Sequence, residues 1–319
     1  MRCAVIAAGS DSCRLLIAQV ADEKVAVGFS RPIKVEHHAI RGTRLGEGMS
    51  SSKTLAPQAM ERTAAAIEEF AGLASRADRL FIIGTAALRE ASNAVEFVQR
   101  VRTITGTDLH VLTGDEEARA SFDGACWALE QTSRAARGAL TVVDIGGGST
   151  EIATRPSPSG DLRLSSLPLG AVRLTERFFK HDPPTTEEIS ACHTAVRLEL
   201  DVVPERSSGA GTSEARAQLV FVGGTADTAA RMLNAYDAAA TVHVATLRVT
   251  DLEDLLRLTA SLPVEQRKRL HGLPEFRADI MPAGLIILDE IALRYKSDRP
   301  FVTEADLLIG YLQERIKLG

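Results

Sequence analysis

The sequence predicts an α/β protein built from two similar halves, on two observations. Short apolar runs, about four to eight residues long, alternate with longer stretches whose apolar residues recur every three or four positions, as buried strands and helices do. One pattern also occurs twice. Ala7-Ala8-Gly9-Ser10-Asp11-Ser12 lies over Asp144-Ile145-Gly146-Gly147-Gly148-Ser149, and Phe81-Ile82-Ile83-Gly84-Thr85-Ala86 lies over Phe221-Val222-Gly223 with Thr225-Ala226. Gly9 and Gly84 are 75 residues apart; Gly146 and Gly223 are 77 apart. Each match alone is a common apolar-plus-glycine string. Two of them at matched spacing indicate an internal duplication.

The elements follow in order. Apolar 3–8, the turn Gly9-Ser10-Asp11-Ser12 and apolar 13–20 read as strand, turn, strand, with a third strand at 25–35. Residues 57–75 are helical by the spacing of Ala59, Thr63, Ala66, Ile67 and Phe70. A short strand at 80–83 ends at Gly84, a helix covers 93–105, and a strand covers 109–112. Thr113 with Glu116 three residues on is a capping-box signature, opening a helix that runs to about 129. Polar, small residues at 130–138 read as the connection between domains 1–130 and 131–319. The pattern then restarts: strand 141–145, a Gly-Gly-Gly-Ser turn, strands 150–154 and 162–167, helices 174–180 and 187–203, and a strand 219–222 ending at Gly223-Gly224. Helices at 279–295 and 304–317 close the chain.

Composition bounds the function. With 319 residues, 45% hydrophobic and 25% charged, the chain has the make-up of a folded globular protein and room for two domains. No apolar run approaches the ~18 residues of a membrane helix and no charged-then-apolar leader opens the chain, so no membrane partner and a cytoplasmic location are expected. The net charge of −5 speaks against a nucleic-acid partner. Cys3, Cys13, Cys126 and Cys192 are scattered without a C-x-x-C pair, which argues for buried thiols rather than zinc ligands or disulfides.

The chemistry sits in the turns. A tight glycine-rich turn exposes successive backbone N–H groups and Ser adds a hydroxyl, which together make an anion cradle. One such turn is usually a plain hairpin; two at equivalent places in facing domains would clamp one phosphate. Asp144 directly precedes the second turn and Glu151 begins the next strand. Carboxylates beside a phosphate repel it unless a hard cation such as Mg²⁺ intervenes, so both are candidate metal ligands. The alternatives are that Asp144 caps the turn and Glu151 is solvated.

The string Asp144-Ile145-Gly146-Gly147-Gly148-Ser149-Thr150-Glu151 closely resembles the second phosphate motif of the exopolyphosphatase/guanosine pentaphosphate phosphohydrolase (Ppx/GppA) family. Ala8 to Leu15 resembles its first phosphate motif. Arg44 to Gly48, Gly84 to Asn93, Thr113 to Arg119, Leu169 to Leu174, Gly223 to Thr225, and Arg277 to Ile280 with Gly284 continue the resemblance in order. It covers nearly the whole chain. It implies two actin-like (ribonuclease H-like) domains with a cleft between them, in the short form of the family that ends after these two, and a final helix, 304–317, that crosses back onto the first domain.

What the resemblance implies for the site is specific. Glu117 matches the family's catalytic base, deprotonating the water that attacks phosphorus; Glu116, one ~100° helical step away, is left with the capping box. Arg89 faces phosphate, a role suited to a planar guanidinium that never deprotonates. Gly9, Ser10, Asp11, Ser12, Gly146, Gly147, Gly148, Ser149, Gly223, Gly224 and Thr225 bind phosphate, and Asp144 and Glu151 hold Mg²⁺ or another divalent cation. Arg31, Lys34, Arg41 and Arg44, with His37-His38 between, form either a basic patch for a polyanion or a charged strand edge. Arg267-Lys268-Arg269 reads as a solvated helix face. Three positions depart from the family: Ala7 stands for a metal-binding Asp, Asp11 for an Asn, and Leu308-Ile309 for an Arg-Glu pair.

The reading is a hydrolase releasing terminal phosphate from inorganic polyphosphate. Guanosine pentaphosphate (or its tetraphosphate) is the alternative ligand. A catalytically weakened polyphosphate- or nucleotide-binding regulator is the alternative class, motivated by Ala7 and Leu308-Ile309. A monomer or homodimer is expected.

Overall fold

A computed structural model describes residues 1–21, 32–132, 134, 138–203, 218–237, 240 and 242–317. In the first half, strands β1 (Arg2–Ala8), β2 (Ser12–Val20) and β3 (Ile33–Gly42) form an antiparallel meander, and β4 (Arg79–Gly84) and β5 (Leu109–Val111) run parallel to β1, in the order β3-β2-β1-β4-β5. Helices α1 (Met49–Ser52), α2 (Pro57–Leu73), α3 (Ala86–Glu90), α4 (Ala94–Thr105) and α5 (Gly114–Glu130) belong to this half by sequence. The second half repeats the plan with β6 (Leu140–Ile145), β7 (Thr150–Arg155), β8 (Arg163–Leu167) and β9 (Gln218–Val222). It adds helices α6 (Ala171–Phe178), α7 (Thr186–Leu200) and α8 (Gly223–Met232), then β10 (Val244–Thr246), α9 (Val249–Ser261), α10 (Val264–Arg267), α11 (Met281–Arg294), β11 (Phe301–Thr303) and α12 (Leu307–Lys317). Its sheet order is β8-β7-β6-β9-β11-β10.

The first five strands of that second order reproduce the first sheet strand for strand, as a duplication requires. The register repeats too. Ala7 lies across from Arg14 on β2 and from Ile83 on β4; Asp144 lies across from Glu151 on β7 and from Val222 on β9. The Ala7–Arg14 pair therefore occupies in the first sheet the place that Asp144–Glu151 occupies in the second.

The core explains how the halves are joined. Ala118, Phe122, Ala125 and Leu129 recur along one side of α5 and bury against Leu140, Val142, Ala153, Val220 and Val222 of the second sheet. Ala120, Trp127 and Ala128, on its other side, join a cluster with Cys3, Val5 and Ala7 of β1 and with Leu307, Leu308, Ile309, Tyr311 and Leu312 of α12. The first half's last helix thus covers the second sheet, and the last helix of the chain covers the first. The two helices cross closely because glycine stands at each contact: a Cβ at Gly310 would strike the Ala120 carbonyl, and one at Gly124 the Asp306 carbonyl.

The structure shifts several expected elements. The third strand is described over Ile33–Gly42, seven residues beyond the expected end at 35; residues 25–31 of the expected 25–35 lie outside the described residues. Seven of its ten residues are exposed, so it carries no alternating signal, and it is held by its ladder to β2. Strands β10 and β11, three residues each, are too short to show a period. Gly223-Gly224, where the expected strand ends, opens the first turn of α8, with Gly223 at φ +86°.

Candidate active site

The two glycine-rich turns are built alike. The Gly9 N–H donates to the Ser12 carbonyl at 3.0 Å, and the Gly146 N–H to the Ser149 carbonyl at 3.0 Å. They meet face to face. A Cβ on Gly147 would lie 2.9 Å from the Asp11 Cβ and 3.0 Å from its amide nitrogen, and one on Gly148 would lie 2.5 Å from Ser10 Oγ. The third wall is the first turn of α8, whose free amides and dipole favour an anion. An open cavity lies among them, lined by all eleven residues assigned above to phosphate and by Asp144 and Glu117.

Cationic groups reach this cavity from two directions. Arg277 lies over Gly224 so closely that no Cβ fits there, and its Nη1 donates to Thr228 Oγ1 at 3.1 Å. Its Nε lies 3.3 Å from Asp11 Oδ2, while Arg44 Nε lies 3.4 Å from Asp11 Oδ1. Neither contact is a hydrogen bond, and both Asp11 Oδ1 and Arg277 Nε are buried without a partner among the described residues. Burial raises the Asp11 pKa above the usual carboxylate range although Arg277 and Arg44 oppose it. On the other side Arg14 ion-pairs with Asp306 at the foot of α12.

The acids form a connected buried group. Glu117 enters on the first turn of α5 and is 6% exposed, whereas the side chain of Glu116 beside it is 41% exposed. Glu116 closes the capping box: it accepts from the Thr113 amide at 2.8 Å while its own amide donates to Thr113 Oγ1 at 3.2 Å. Arg89 Nη1 donates to Glu117 Oε2 and to the Leu112 carbonyl, both at 2.9 Å, and its Nη2 lies 3.7 Å from Glu151 Oε1. Ser121 donates to Asp144 Oδ2, and Ser166 Oγ donates to Glu151 Oε1 at 2.8 Å. Burial, and then neighbouring acids, push Glu117, Asp144 and Glu151 above the usual carboxylate range; Arg89 opposes this at Glu117, and Arg14 at Asp144.

Two site residues from the sequence do not line the cavity. Glu151 is buried across the strand pair from Asp144, and Arg89 is occupied by Glu117. The basic stretch is dispersed into separate ion pairs. Arg41 meets Glu69, Arg44 meets Asp279, and Glu36 is taken by Arg2, while Arg31 lies outside the described residues. Arg267 is not solvated. It is 3% exposed, bonded to the Leu262 and Ala278 carbonyls and to Asp182, because the chain around α10 folds over it. Arg14 and Arg277 line the cavity and were named in the sequence only as members of matching blocks. The repeat is the signal that finds Arg14, since it places that residue opposite Ala7.

Comparison with known proteins agrees with this geometry. Residues 17–299 match the model of the Ppx/GppA phosphatase family. Exopolyphosphatase 2 of Mycobacterium tuberculosis is 34% identical over 324 aligned positions, covering 97% of each chain. The crystal structure of the Aquifex aeolicus Ppx/GppA family member is 29% identical and superposes with a TM-score of 0.76, covering 100% of this chain and 98% of that one. An exopolyphosphatase structure from Cytophaga hutchinsonii shares the fold at 21% identity, with a TM-score of 0.84 and 99% and 98% coverage. These relatives align end to end in sequence and in structure: the chain belongs to the Ppx/GppA phosphatase family of hydrolases, and its two sheets are the two actin-like domains of that fold.

Proposed function

We propose that the protein releases terminal phosphate from inorganic polyphosphate, with Glu117 taking a proton from the attacking water. The observation that carries this is the placement of a buried carboxylate on a helix's first turn, beside three amide-rich turns lining one cavity. The turns supply donors around a phosphoryl group, and Arg277 adds a buried cation over the third turn. Arg89 positions Glu117: two hydrogen bonds fix its guanidinium between Glu117 and the Leu112 carbonyl, and its charge favours the ionised base. A water positioned between Glu117 and the terminal phosphorus would lose its proton to Oε1 or Oε2 as its oxygen bonds phosphorus and the bridging oxygen departs with the shortened chain.

A divalent cation fits the acids present. Asp144 and Glu151 are direct neighbours on adjacent strands, both buried and both destabilised as anions by burial and by other acids, a strain that a cation would relieve. Those two residues would hold it, with phosphate oxygens and water completing its shell, since the acids here do not close a cage of protein ligands. Bound there, it would neutralise phosphate charge.

The test is phosphate release from long polyphosphate and from guanosine pentaphosphate while Mg²⁺ is titrated. Faster release from polyphosphate is expected; faster release from the nucleotide overturns the substrate assignment. One observation favours a second reading. Ala7, 1% exposed, lies in an apolar cluster with Leu308 and Ile309 instead of presenting an acid. Thermal stabilisation by polyphosphate with no release at any Mg²⁺ would identify a binding protein.

A further inference from the structure

A second group of metal-ligand side chains lies away from the cavity, between α7 and α11. His193 on α7 places Nδ1 2.6 Å from Glu290 Oε1 on α11. Arg197, one turn further along α7, donates through Nε to Glu290 Oε2 at 2.8 Å. Asp289 stands next to Glu290. One donor atom from each of His193, Asp289 and Glu290 lies within 4.8 Å of the others, and among the described residues no other three His, Cys, Asp or Glu side chains do this. None of the three lines the central cavity.

Asp289 makes the group more than a helix-to-helix ion pair. It is 7% exposed, and its Oδ1 is buried without a hydrogen-bond partner among the described residues. The helix around it is apolar, buried from Met281 to Ala292. A carboxylate oxygen left there without a donor costs free energy that the fold does not recover at that atom. Glu253 on α9 adds a further negative charge facing it. Three acids thus meet one fixed cation, Arg197, which Glu290 already engages through both oxygens.

We infer that His193, Asp289 and Glu290 bind a divalent transition-metal ion that staples α7 to α11. An imidazole nitrogen with two carboxylate oxygens is a donor set for ions of the Zn²⁺, Co²⁺ or Mn²⁺ kind and a poor one for Mg²⁺, which prefers oxygen alone. His193 would ligate through Nδ1 with its proton on Nε2, and the Nδ1–Oε1 hydrogen bond and the Arg197 Nη2–Oε1 contact would both open to admit the ion. Arg197 keeps Oε2 and so holds the Glu290 carboxylate in orientation, as outer-shell partners of metal ligands do. The staple would brace α11, whose first residue, Met281, lines the central cavity.

The experiment uses chelator-stripped protein in saturating Mg²⁺, which keeps the central acids occupied, with Co²⁺ as the probe. Visible d–d absorption and melting temperature are followed in the native chain, Asp144→Asn, His193→Ala and Asp289→Asn. The native chain and Asp144→Asn are expected to take up one Co²⁺ with visible bands and an equal rise in melting temperature. His193→Ala and Asp289→Asn are expected to bind it more than about 100-fold more weakly, since loss of outer-shell partners alone costs 10–100-fold. Metal-free Asp289→Asn should melt no lower than the native chain, because it removes an unpartnered charge. His193→Ala, at a partly exposed position, keeps the test open if Asp289→Asn does not fold. Bands that never form in the native chain, that vanish in Asp144→Asn, or that persist in both His193→Ala and Asp289→Asn overturn the inference.

Discussion

Glu116 and Glu117 are neighbours in the chain and differ in everything that decides function. One is half exposed and bonded to the Thr113 that starts its helix; the other is buried and bonded to Arg89. Glu117→Gln is therefore expected to abolish most phosphate release while leaving polyphosphate affinity nearly unchanged, because an amide keeps the shape and cannot accept the proton. Glu116→Gln should leave turnover intact and cost about 1 kcal/mol or less, since Gln still closes the capping box. Equal activity losses in the two variants would refute this division of roles. Ala7 allows a second prediction at this scale. A carboxylate there would sit directly across the strand pair from Arg14, whose charge now goes to Asp306. Ala7→Asp should lower the Mg²⁺ concentration needed for release and raise turnover, and phosphate release against Mg²⁺ checks it; slower release in a chain that already saturates at low Mg²⁺ would count against it. Thr113 and Glu116 were legible in the sequence because a capping box spans four residues. The Arg14–Asp306 pair was not, because its partners are separated by 292 residues and only the fold joins them.

Helix α7 begins with the same device as α5. The Glu188 carboxylate accepts from the Thr185 amide at 3.0 Å and the Lys180 amide at 2.9 Å, with His181 Nδ1 at 2.9 Å. What burial it has works against the charged form, but these donors prevail and lower its pKa to about 2. A folded-state pKa below the unfolded value means that the stabilisation is complete above the unfolded Glu value, near 4.3, and is lost as pH falls toward 2. The native chain should therefore lose more melting temperature between pH 5 and 2 than Glu188→Gln does. Parallel pH profiles for the two proteins would show that the cap carries no charge dependence. The crossing of α5 with α12 is a packing device of another kind. Gly310→Ala puts a methyl against the Ala120 carbonyl, with the Gly124 amide close by, so backbone rather than a side chain must move. It should cost about 1–3 kcal/mol in denaturant unfolding; a smaller change would mean the helices can slide apart freely. These helices were legible from apolar spacing, α5 through its capping box as well. The return of α12 to the first half was expected from the family resemblance; that α5 covers the second sheet was not, because a helix apolar on two sides does not say which sheet each side covers.

At the scale of the whole molecule, the halves are held together on several sides of the cavity. Arg44 donates to Asp279 and to the Phe276 carbonyl, Glu176 accepts from the Gly48 amide and Ser50 Oγ at 2.8 Å each, and Arg173 reaches Glu90 at 2.7 Å. The duplicated plan was visible in the sequence because both phosphate turns recur at nearly one spacing. These cross-half contacts were not, since each couples residues from opposite halves with no shared motif. They press the turns into contact, and at Gly147 the facing turn presents backbone: a Cβ there meets the Asp11 amide nitrogen at 3.0 Å and, within its own half, Val172 Cγ2 at 3.1 Å. Backbone cannot rotate away as a side-chain tip can, so a methyl group at this position must separate the first turn from the second by a few tenths of an ångström. If phosphate is held by amides of both turns together, that displacement misaligns the donors with the charge that develops on the phosphoryl oxygens. Gly147→Ala should then lower kcat by about 10-fold or more, since misplacement by ~1 Å can cost 10²-fold. Gly72→Ala, where nothing lies within 4 Å of the added Cβ, should leave kcat unchanged and serves as the control for adding a methyl group. Urea unfolding of Gly147→Ala should show a loss of about 1–3 kcal/mol, separating displacement from unfolding. A Gly147→Ala protein that unfolds like the native chain and keeps its kcat would mean that one turn suffices to hold the phosphate and that the contact between the halves has no part in turnover.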